Sequence, residues 1–145
     1  MGGAVGHLMH LYDDPDLTIG KMKQILRLAS EGKLENVTEK VDGRNIVFSW
    51  DISKNALKLA LVSGEILSGG VSEAQMIEKF KDRRGALEAY VNGRKILKEA
   101  IENIPDETKR TIFGDTANRW FSAEIIYPAS PNVVQYDSNT IIFPE

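Results

Sequence analysis

A lysine, an aspartate and an arginine alternate in the short segment Lys40-Val41-Asp42-Gly43-Arg44. A lysine amine acts as a nucleophile only when it is neutral, which requires lowering its pKa from about 10.4 towards about 7–8. Such a change costs about 4 kcal/mol, and partial burial beside another cation can supply it. Arg44 is placed to be that cation, and its guanidinium also suits a phosphate or a ribose. The segment therefore predicts nucleophilic chemistry at Lys40.

The same segment also has a purely structural interpretation. Asp-Gly is typical of a two-residue hairpin turn, and we predict strands on both sides of it, at Val37–Val41 and Asn45–Asp51. Lys40 and Asp42 lie two positions apart, so an extended chain directs both side chains to one face. In this alternative, Lys40 and Arg44 are solvated residues flanking a turn and carry no chemistry.

Length and composition restrict the class of protein. A chain of 145 residues with 42% hydrophobic and 27% charged residues predicts a single globular domain over residues 1–145. The absence of cysteine excludes disulfides, thiolate zinc sites and cysteine nucleophiles. A net charge of −3 means that any nucleic acid must bind through a local basic patch. No apolar run is long enough to span a membrane and the N-terminus lacks signal-peptide features, so we expect a cytoplasmic protein without a membrane partner.

The elements that must position the segment follow from hydrophobic spacing and from cap and turn residues. We predict a helix from Thr18 to Gly32, strands at Val37–Val41, Asn45–Asp51 and Ala56–Val62, helices from Ser72 and over Arg84–Asn103, and strands at Arg119–Tyr127, Val133–Tyr136 and Thr140–Phe143. In the second strand, alternation puts Phe48 and Trp50 on the apolar face. This order predicts an α+β fold with a mainly antiparallel sheet and flanking helices.

The lysine segment resembles motif I of the covalent nucleotidyltransferases, which comprise DNA ligases, RNA ligases and messenger-RNA capping enzymes. In that superfamily the lysine attacks the α-phosphate of ATP or GTP and carries the nucleotide as a phosphoramidate. Val62-Ser63-Gly64-Glu65 is similar to the motif that follows in the superfamily, although a basic residue usually precedes its glycine. Phe121-Ser122-Ala123-Glu124 resembles the later motif whose carboxylate contacts the nucleotide sugar.

Two further segments, Gly6–Tyr12 and Asn132–Asp137, are similar to those of uncharacterised tailed-phage proteins with a ligase-like adenylation domain. The later Glu-Gly motif and the paired-lysine strand of the superfamily have no counterpart after Glu124. The resemblance therefore implies the front half of an adenylation domain with a partial ATP-grasp-like fold, or a reduced relative of one. The alternative is a non-catalytic ligase-fold module that binds a partner or has a structural role in a phage.

The resemblance implies a role for each residue of these motifs. Lys40 is the expected nucleophile, and Asp42 is expected either to orient Lys40 or to hold Mg²⁺ through a water molecule. The expected nucleotide-binding residues are Glu39, Asp42, Gly43, Arg44, Gly64, Glu65 and Glu124. The implied substrates are ATP and a DNA or RNA end, so the resemblance predicts a magnesium-dependent polynucleotide ligase.

Other polar groups have a structural as well as a functional interpretation. The one basic cluster comprises Lys79, Lys81, Arg83 and Arg84; it is either a solvated helix end or a contact for a nucleic-acid backbone. His7, His10 and Asp13 are more typical of packing or surface residues than of a metal site. Gly69-Gly70 precedes a predicted helix without a P-loop sequence, which favours a flexible turn over an anion site.

Overall fold

The computed structural model describes residues 11–37, 41–130 and 134–143 of the chain. The chain divides into two compact units, a smaller one that ends at Val41 and a larger one that continues from Asp42. The larger unit has an α+β fold with an antiparallel sheet, as predicted. Its described part contains no helix that is both long and apolar enough to cross a lipid bilayer.

The smaller unit contains a short 3₁₀ turn at Leu11–Asp13 and the helix α1 at Ile19–Ser30. The predicted N-cap is confirmed, because the Thr18 hydroxyl accepts a hydrogen bond of 3.2 Å from the amide of Lys21. Gly32 lies just beyond the helix with a φ of 64°, the left-handed conformation that favours glycine after a helix end.

The larger unit is built on four strands, β1 at Arg44–Asp51, β2 at Ala56–Ala60, β3 at Phe121–Ile126 and β4 at Thr140–Ile142. Their order is β2-β1-β3-β4, and every neighbouring pair is antiparallel. β1 and β2 are joined by a tight turn in which Asn55 takes the left-handed φ of 46°. The Asp51 carboxylate fastens this turn by accepting hydrogen bonds from the Ser53 hydroxyl and the Lys54 amide.

Four helices of the larger unit lie between β2 and β3 in the chain. They are α2 at Ser63–Leu67, α3 at Glu73–Phe80, α4 at Arg84–Glu102 and α5 at Asp106–Phe113. The predicted capping box of α3 is confirmed, since Ser72 and Gln75 exchange side-chain and backbone hydrogen bonds. The sequence analysis did not predict α2 or α5, because one is very short and the other has few apolar residues.

The core lies between one face of the sheet and the helices α3, α4 and α5. Phe48 and Trp50 are buried on that face, as the alternation along β1 predicts. At Gly93, α4 approaches the sheet so closely that a Cβ would stand 2.5 Å from the Ile125 Cδ1 atom of β3. The absence of a side chain at residue 93 therefore sets the distance between α4 and β3.

The predicted hairpin across Asp42-Gly43 is corrected by the pairing of β1. β3 occupies one edge of β1 over Arg44–Phe48, and β2 occupies the other edge from Val47 onwards. The described ends of the predicted strand Val37–Val41, which are Val37 and Val41, are not in a strand. Residues 38–40 of that predicted strand lie outside the described residues.

Two other predicted strands also differ, and hydrogen bonds explain both differences. β2 stops at Ala60 instead of Val62, because the amides of Leu61 and Val62 donate to the Glu65 carboxylate rather than to a strand. The described part of the predicted strand Val133–Tyr136 is irregular, and its Val134 amide donates to the carboxylate of Asp42.

Candidate functional site

Parts of three motifs singled out in the sequence lie at one end of the sheet. β1 begins at Arg44, directly after Asp42 and Gly43. Because β2 and β3 are antiparallel to β1, their C-terminal ends lie beside its beginning. Those ends lead to Glu65 in α2 and carry Glu124 in β3.

The carboxylate of Glu124 lies against the backbone of Gly43. A Cβ on Gly43 would stand 3.0 Å from Glu124 Oε2, which is closer than ordinary van der Waals contact. Glu124 pairs with Asn45 in the β1–β3 register, and the Asn45 amide donates to the Ser122 hydroxyl at 2.7 Å. Ser122 and Glu124 therefore share the polar face that alternation along the strand predicts.

Asp42 is held by a segment distant in sequence. Its backbone amide donates to the Tyr136 hydroxyl at 2.9 Å, and its Oδ2 atom accepts from the Val134 amide at 3.0 Å. Tyr136 and Val134 belong to the segment Asn132–Asp137 that carried part of the family resemblance. Two segments singled out separately in the sequence are therefore in direct contact.

Arg44 is fixed by Ser130, a buried residue that follows β3. The Arg44 Nε donates to the Ser130 hydroxyl at 2.6 Å, and the Ser130 amide donates to the Tyr127 carbonyl at 2.8 Å. The Arg44 side chain also forms a hydrogen bond with the Tyr90 side chain. The planar fork of N–H groups in a guanidinium matches the geometry of a phosphate or carboxylate.

Tyr90 of α4 lies beneath this end of the sheet. Its hydroxyl donates to the Asn45 carbonyl at 3.3 Å, and its ring stacks on Phe80 with the centroids 4.6 Å apart. Burial raises the pKa of Tyr90; the Arg44 guanidinium opposes the rise, whereas the carboxylates of Glu124 and Glu65 add to it. The Tyr90 phenol is therefore within electrostatic range of Arg44, Glu124 and Glu65.

Glu65 is engaged within the protein. Its Oε2 accepts hydrogen bonds from the amides of Leu61 and Val62, and its Oε1 pairs with the Lys79 ammonium at 2.8 Å. Partial burial opposes ionisation, but Lys79 and the two amides outweigh it and lower the pKa of Glu65. These contacts give Glu65 a structural role at the beginning of α2. Gly64 beside it has no neighbour within 4 Å of a Cβ position, so close packing does not require glycine there.

The predicted nucleophile Lys40 and its neighbour Glu39 lie outside the described residues. Their predicted roles therefore stay predictions. The described part of the motif, Asp42 to Arg44, is the part that contacts Glu124, Ser130 and residues 134–136.

The basic cluster is largely neutralised by carboxylates of the same chain. Lys79 pairs with Glu65, as described above. Lys81 pairs with Glu78, and Arg84 pairs with Glu88 at 3.0 Å. The cluster therefore carries much less net positive charge than its sequence indicates.

The donor set at this end of the sheet fits a magnesium ion that is carried mainly by a nucleotide. Within residues 11–37, 41–130 and 134–143, no group of three or more histidine, aspartate or glutamate residues could form a metal cage. Magnesium typically takes one or two protein carboxylates and completes its octahedron with phosphate oxygens and water. At this end of the sheet, Asp42 is the predicted carboxylate for such an ion, and its metal role stays a prediction. His7 and His10 lie outside the described residues.

Sequence reasoning missed the residues that hold the motif in place. Ser130, Tyr136 and Tyr90 were not singled out as site residues, although each contacts the motif I segment or the residue after it. Tyr136 had a signal, because it lies in the second segment with the phage-protein resemblance. Ser130 and Tyr90 had none, since a turn serine and a helical tyrosine look like ordinary structural residues.

Comparison of the chain with protein-family models, with curated proteins and with solved structures finds no match. The function of this protein is therefore inferred from the motifs in its own chain and from the contacts between them. Those contacts join residues up to 94 positions apart in the sequence, as between Asp42 and Tyr136.

Proposed function

We propose that this protein is a covalent nucleotidyltransferase of the polynucleotide ligase type, which transfers AMP from ATP to Lys40 and then to a nucleic-acid end. The observation that carries the proposal is the contact between Glu124 and Gly43. In the superfamily that the sequence resembles, these two motifs bind the same nucleotide. Although they are far apart in the sequence, they must therefore lie close together in the fold. We place the reaction in the cytoplasm, in a phage-infected host if the chain is phage-encoded.

The proposed step begins with the neutral amine of Lys40. Its lone pair attacks the α-phosphorus of ATP, forming an N–P bond while the bond from that phosphorus to the bridging oxygen of pyrophosphate breaks. The amine loses a proton to water, so the products are lysyl-AMP, pyrophosphate and a proton.

Arg44 and Glu124 are suited to hold the two ends of a nucleoside monophosphate. The Arg44 guanidinium, oriented by Ser130, offers paired donors for phosphate oxygens. The Glu124 carboxylate would accept hydrogen bonds from the hydroxyls of the ribose. A cation on one side and a hydroxyl acceptor on the other fix the α-phosphate for attack, which is how positioning lowers a barrier.

A bound Mg²⁺ would neutralise charge on the departing pyrophosphate. Asp42 would hold it through a water molecule. The hydrogen bonds from the Asp42 amide to the Tyr136 hydroxyl and from the Val134 amide to Asp42 Oδ2 orient this residue.

The test is intact-mass spectrometry after incubation with ATP and Mg²⁺. We expect a slowly formed adduct with the mass of one AMP residue, because the later motifs of the superfamily have no counterpart here. The adduct should be acid-labile, as a phosphoramidate is, and should be absent in Lys40→Ala although that variant keeps its circular dichroism spectrum. An adduct that persists in Lys40→Ala, or no adduct with either ATP or GTP, would contradict the proposal.

A non-catalytic ligase-fold module is a second candidate, and the contacts of Glu65 favour it. A carboxylate that caps a helix and pairs with Lys79 is occupied in stabilising the fold. In this candidate the nucleotide is bound but not cleaved. Retention of ATP by the wild-type protein in equilibrium dialysis, without any adduct by mass, would favour the module over the enzyme.

A further inference from the structure

A cleft of about 280 Å³ opens at the other end of the sheet, where β1 ends and β2 begins. Its walls include Asp51, Lys54, Lys58, Thr116 and Trp120. We propose that this cleft binds one nucleotide unit of a single-stranded polynucleotide, with its base against Trp120 and its phosphate on Lys58. The inference rests on the proposed function in one respect: it takes the polynucleotide to be the strand that the enzyme joins.

The charges of the cleft favour an anionic ligand. The Asp51 carboxylate is already satisfied by the Ser53 hydroxyl at 2.6 Å and by the Lys54 amide, and Lys54 Nζ lies 3.7 Å from it. The Ser53 hydroxyl, together with Lys54 and Lys58, lowers the pKa of Asp51 and keeps it ionised. Among the described residues, Lys58 forms no ion pair of its own. The cleft therefore has two cations for one anion, and Lys58 supplies the uncompensated charge.

Trp120 supplies a flat apolar wall beside that charge. Its ring packs on the backbone at Gly70, where a Cβ would stand 3.2 Å from Trp120 Cη2 and 2.7 Å from the Leu59 carbonyl oxygen. Gly70 also has a φ of 93°, so a side chain is disfavoured there on both grounds. The indole is therefore held against the backbone at Gly70, and part of it stays accessible in the cleft.

An aromatic face next to an unpaired ammonium matches a nucleotide unit. Stacking of a base on an aromatic ring and contact of the phosphate with a cation are the two interactions by which proteins bind single strands without sequence preference. A volume of about 280 Å³ is below the usual range for drug-sized ligands, about 300–1,000 Å³, so it suits one base with its phosphate. An acidic peptide would use Lys58 but would gain little from the flat indole.

The distance between the cleft and the candidate site fits a strand that occupies both. Lys58, the proposed phosphate ligand, pairs with Ser49 of β1, five positions after Arg44, so about 17 Å of strand separates the two levels. A stacked single strand advances about 3.4 Å per nucleotide. A polynucleotide whose end lies at Arg44 would therefore bring about its fifth nucleotide level with Lys58.

The test uses the full chain and a fluorescein-labelled single-stranded oligothymidylate, with fluorescence anisotropy and tryptophan quenching as readouts. We expect Lys58→Gln to weaken binding about 3- to 10-fold and to reduce the salt slope by about 0.7, the value for one phosphate contact. Trp120→Leu should weaken binding about 10-fold or more and remove most of the quenching, since Trp50 is buried in the core. Lys58→Arg should restore binding.

Lys95→Gln is the matched control, because Lys95 is a largely exposed lysine on α4, away from the cleft. Binding that is unchanged in both Lys58→Gln and Trp120→Leu would overturn the proposal. Equal competition by polyglutamate and by unlabelled oligonucleotide would also overturn it, because a peptide would then fit as well. Neither Lys58 nor Trp120 belongs to the nucleotide site, so adduct formation should be unchanged in both variants. Lys58-dependent binding without any adduct would contradict the ligase reaction and support the cleft.

Discussion

Glu124 and Gly43 meet where β1 begins, with the Glu124 Oε2 atom 3.0 Å from the point that a Cβ on Gly43 would occupy. The Ile125 carbonyl oxygen and the Ile126 Cδ1 atom lie at the same distance from that point. Gly43 is therefore required by close packing against β3. The Gly43 backbone and the Glu124 carboxylate touch because residue 43 has no side chain to separate them.

Gly43→Ala should disturb both the fold and the proposed reaction. A methyl group would have to displace Glu124 and a backbone carbonyl, so we expect a loss of about 1–3 kcal/mol in the free energy of unfolding. The amount of adduct formed with ATP should decrease by more than the increase in the unfolded fraction of the protein accounts for. Gly64→Ala is the control, because nothing lies within 4 Å of its Cβ position. Equal behaviour of the two variants in urea melts would contradict the described contact.

Gly93→Ala tests the approach of α4 to β3. Alanine in a helix interior gains about 1 kcal/mol over glycine, but here its Cβ would stand 2.5 Å from Ile125 Cδ1. We expect the overlap to outweigh the helix propensity and to destabilise the protein by about 1–3 kcal/mol. Ile125→Val removes the overlapping methyl group, so the double variant should lose less stability than the two single variants added together. Strict additivity would be inconsistent with direct contact.

Lys109→Met tests a buried lysine. Its side chain is 4% exposed, and its ammonium donates to the Glu102 carbonyl at 3.0 Å and lies 5.1 Å from the centre of the Trp50 ring. Methionine keeps the apolar stem but loses both of these interactions and the ion pair with Asp106 at 3.4 Å, so we expect a cost of about 1–3 kcal/mol in thermal or urea unfolding. Lys95→Met, at an exposed position, should change stability by less than about 0.5 kcal/mol. A Lys109→Met variant as stable as wild type would refute the linkage between α4, α5 and the core.

Glu65→Gln tests the pH dependence that follows from a lowered pKa. The folded-state pKa of Glu65 is below its ordinary value of 4.5, so its charge stabilises the fold fully above that pH. This stabilisation is lost as the pH falls through the lower, folded-state value. We expect Glu65→Gln to cost about 1 kcal/mol near neutral pH and progressively less in acid. Glu78→Gln, which removes a more exposed ion pair, is the control and should cost less than about 0.5 kcal/mol in urea melts near neutral pH.

Trp50→Ala tests the core face of β1. Trp50 has no exposed surface, so its truncation should cost about 3–5 kcal/mol in the free energy of unfolding. Phe143→Ala, at a residue that is 60% exposed, should cost less than about 1 kcal/mol. A loss below about 1 kcal/mol for Trp50→Ala would show that this face is not the core.

The sequence by itself determined those elements whose ends and faces carry local signals. The Thr18 hydroxyl and the Ser72–Gln75 pair mark helix beginnings, because the groups that satisfy free backbone amides are close in sequence. The alternation of Phe48 and Trp50 with polar neighbours identified the core face of β1 for the same reason. Each signal depends only on residues within one or two turns of the chain.

Strand pairing was decided only by the tertiary structure. Asp42-Gly43 has the composition of a hairpin turn, yet β1 pairs with β2 and β3, and β3 lies more than seventy positions further along the chain. A strand satisfies its backbone groups equally well with near and distant partners, so local propensity cannot choose between them. In the fold, β2 and β3 pair with the two edges of β1, while α3, α4 and α5 cover one face of the sheet.

The site shows the same division. Residue types and spacing singled out Lys40 and Arg44, whereas Glu124 was singled out by the resemblance of its segment to a superfamily motif, and the role of each stays a prediction. Only the fold brought Glu124 against Gly43, Ser130 to Arg44 and Tyr136 to Asp42. The fold also brings Glu65 and Lys79 together as an ion pair, because packing places their opposite charges side by side. Contacts across such sequence separations leave no periodic or local pattern, so they exist only once the chain has folded.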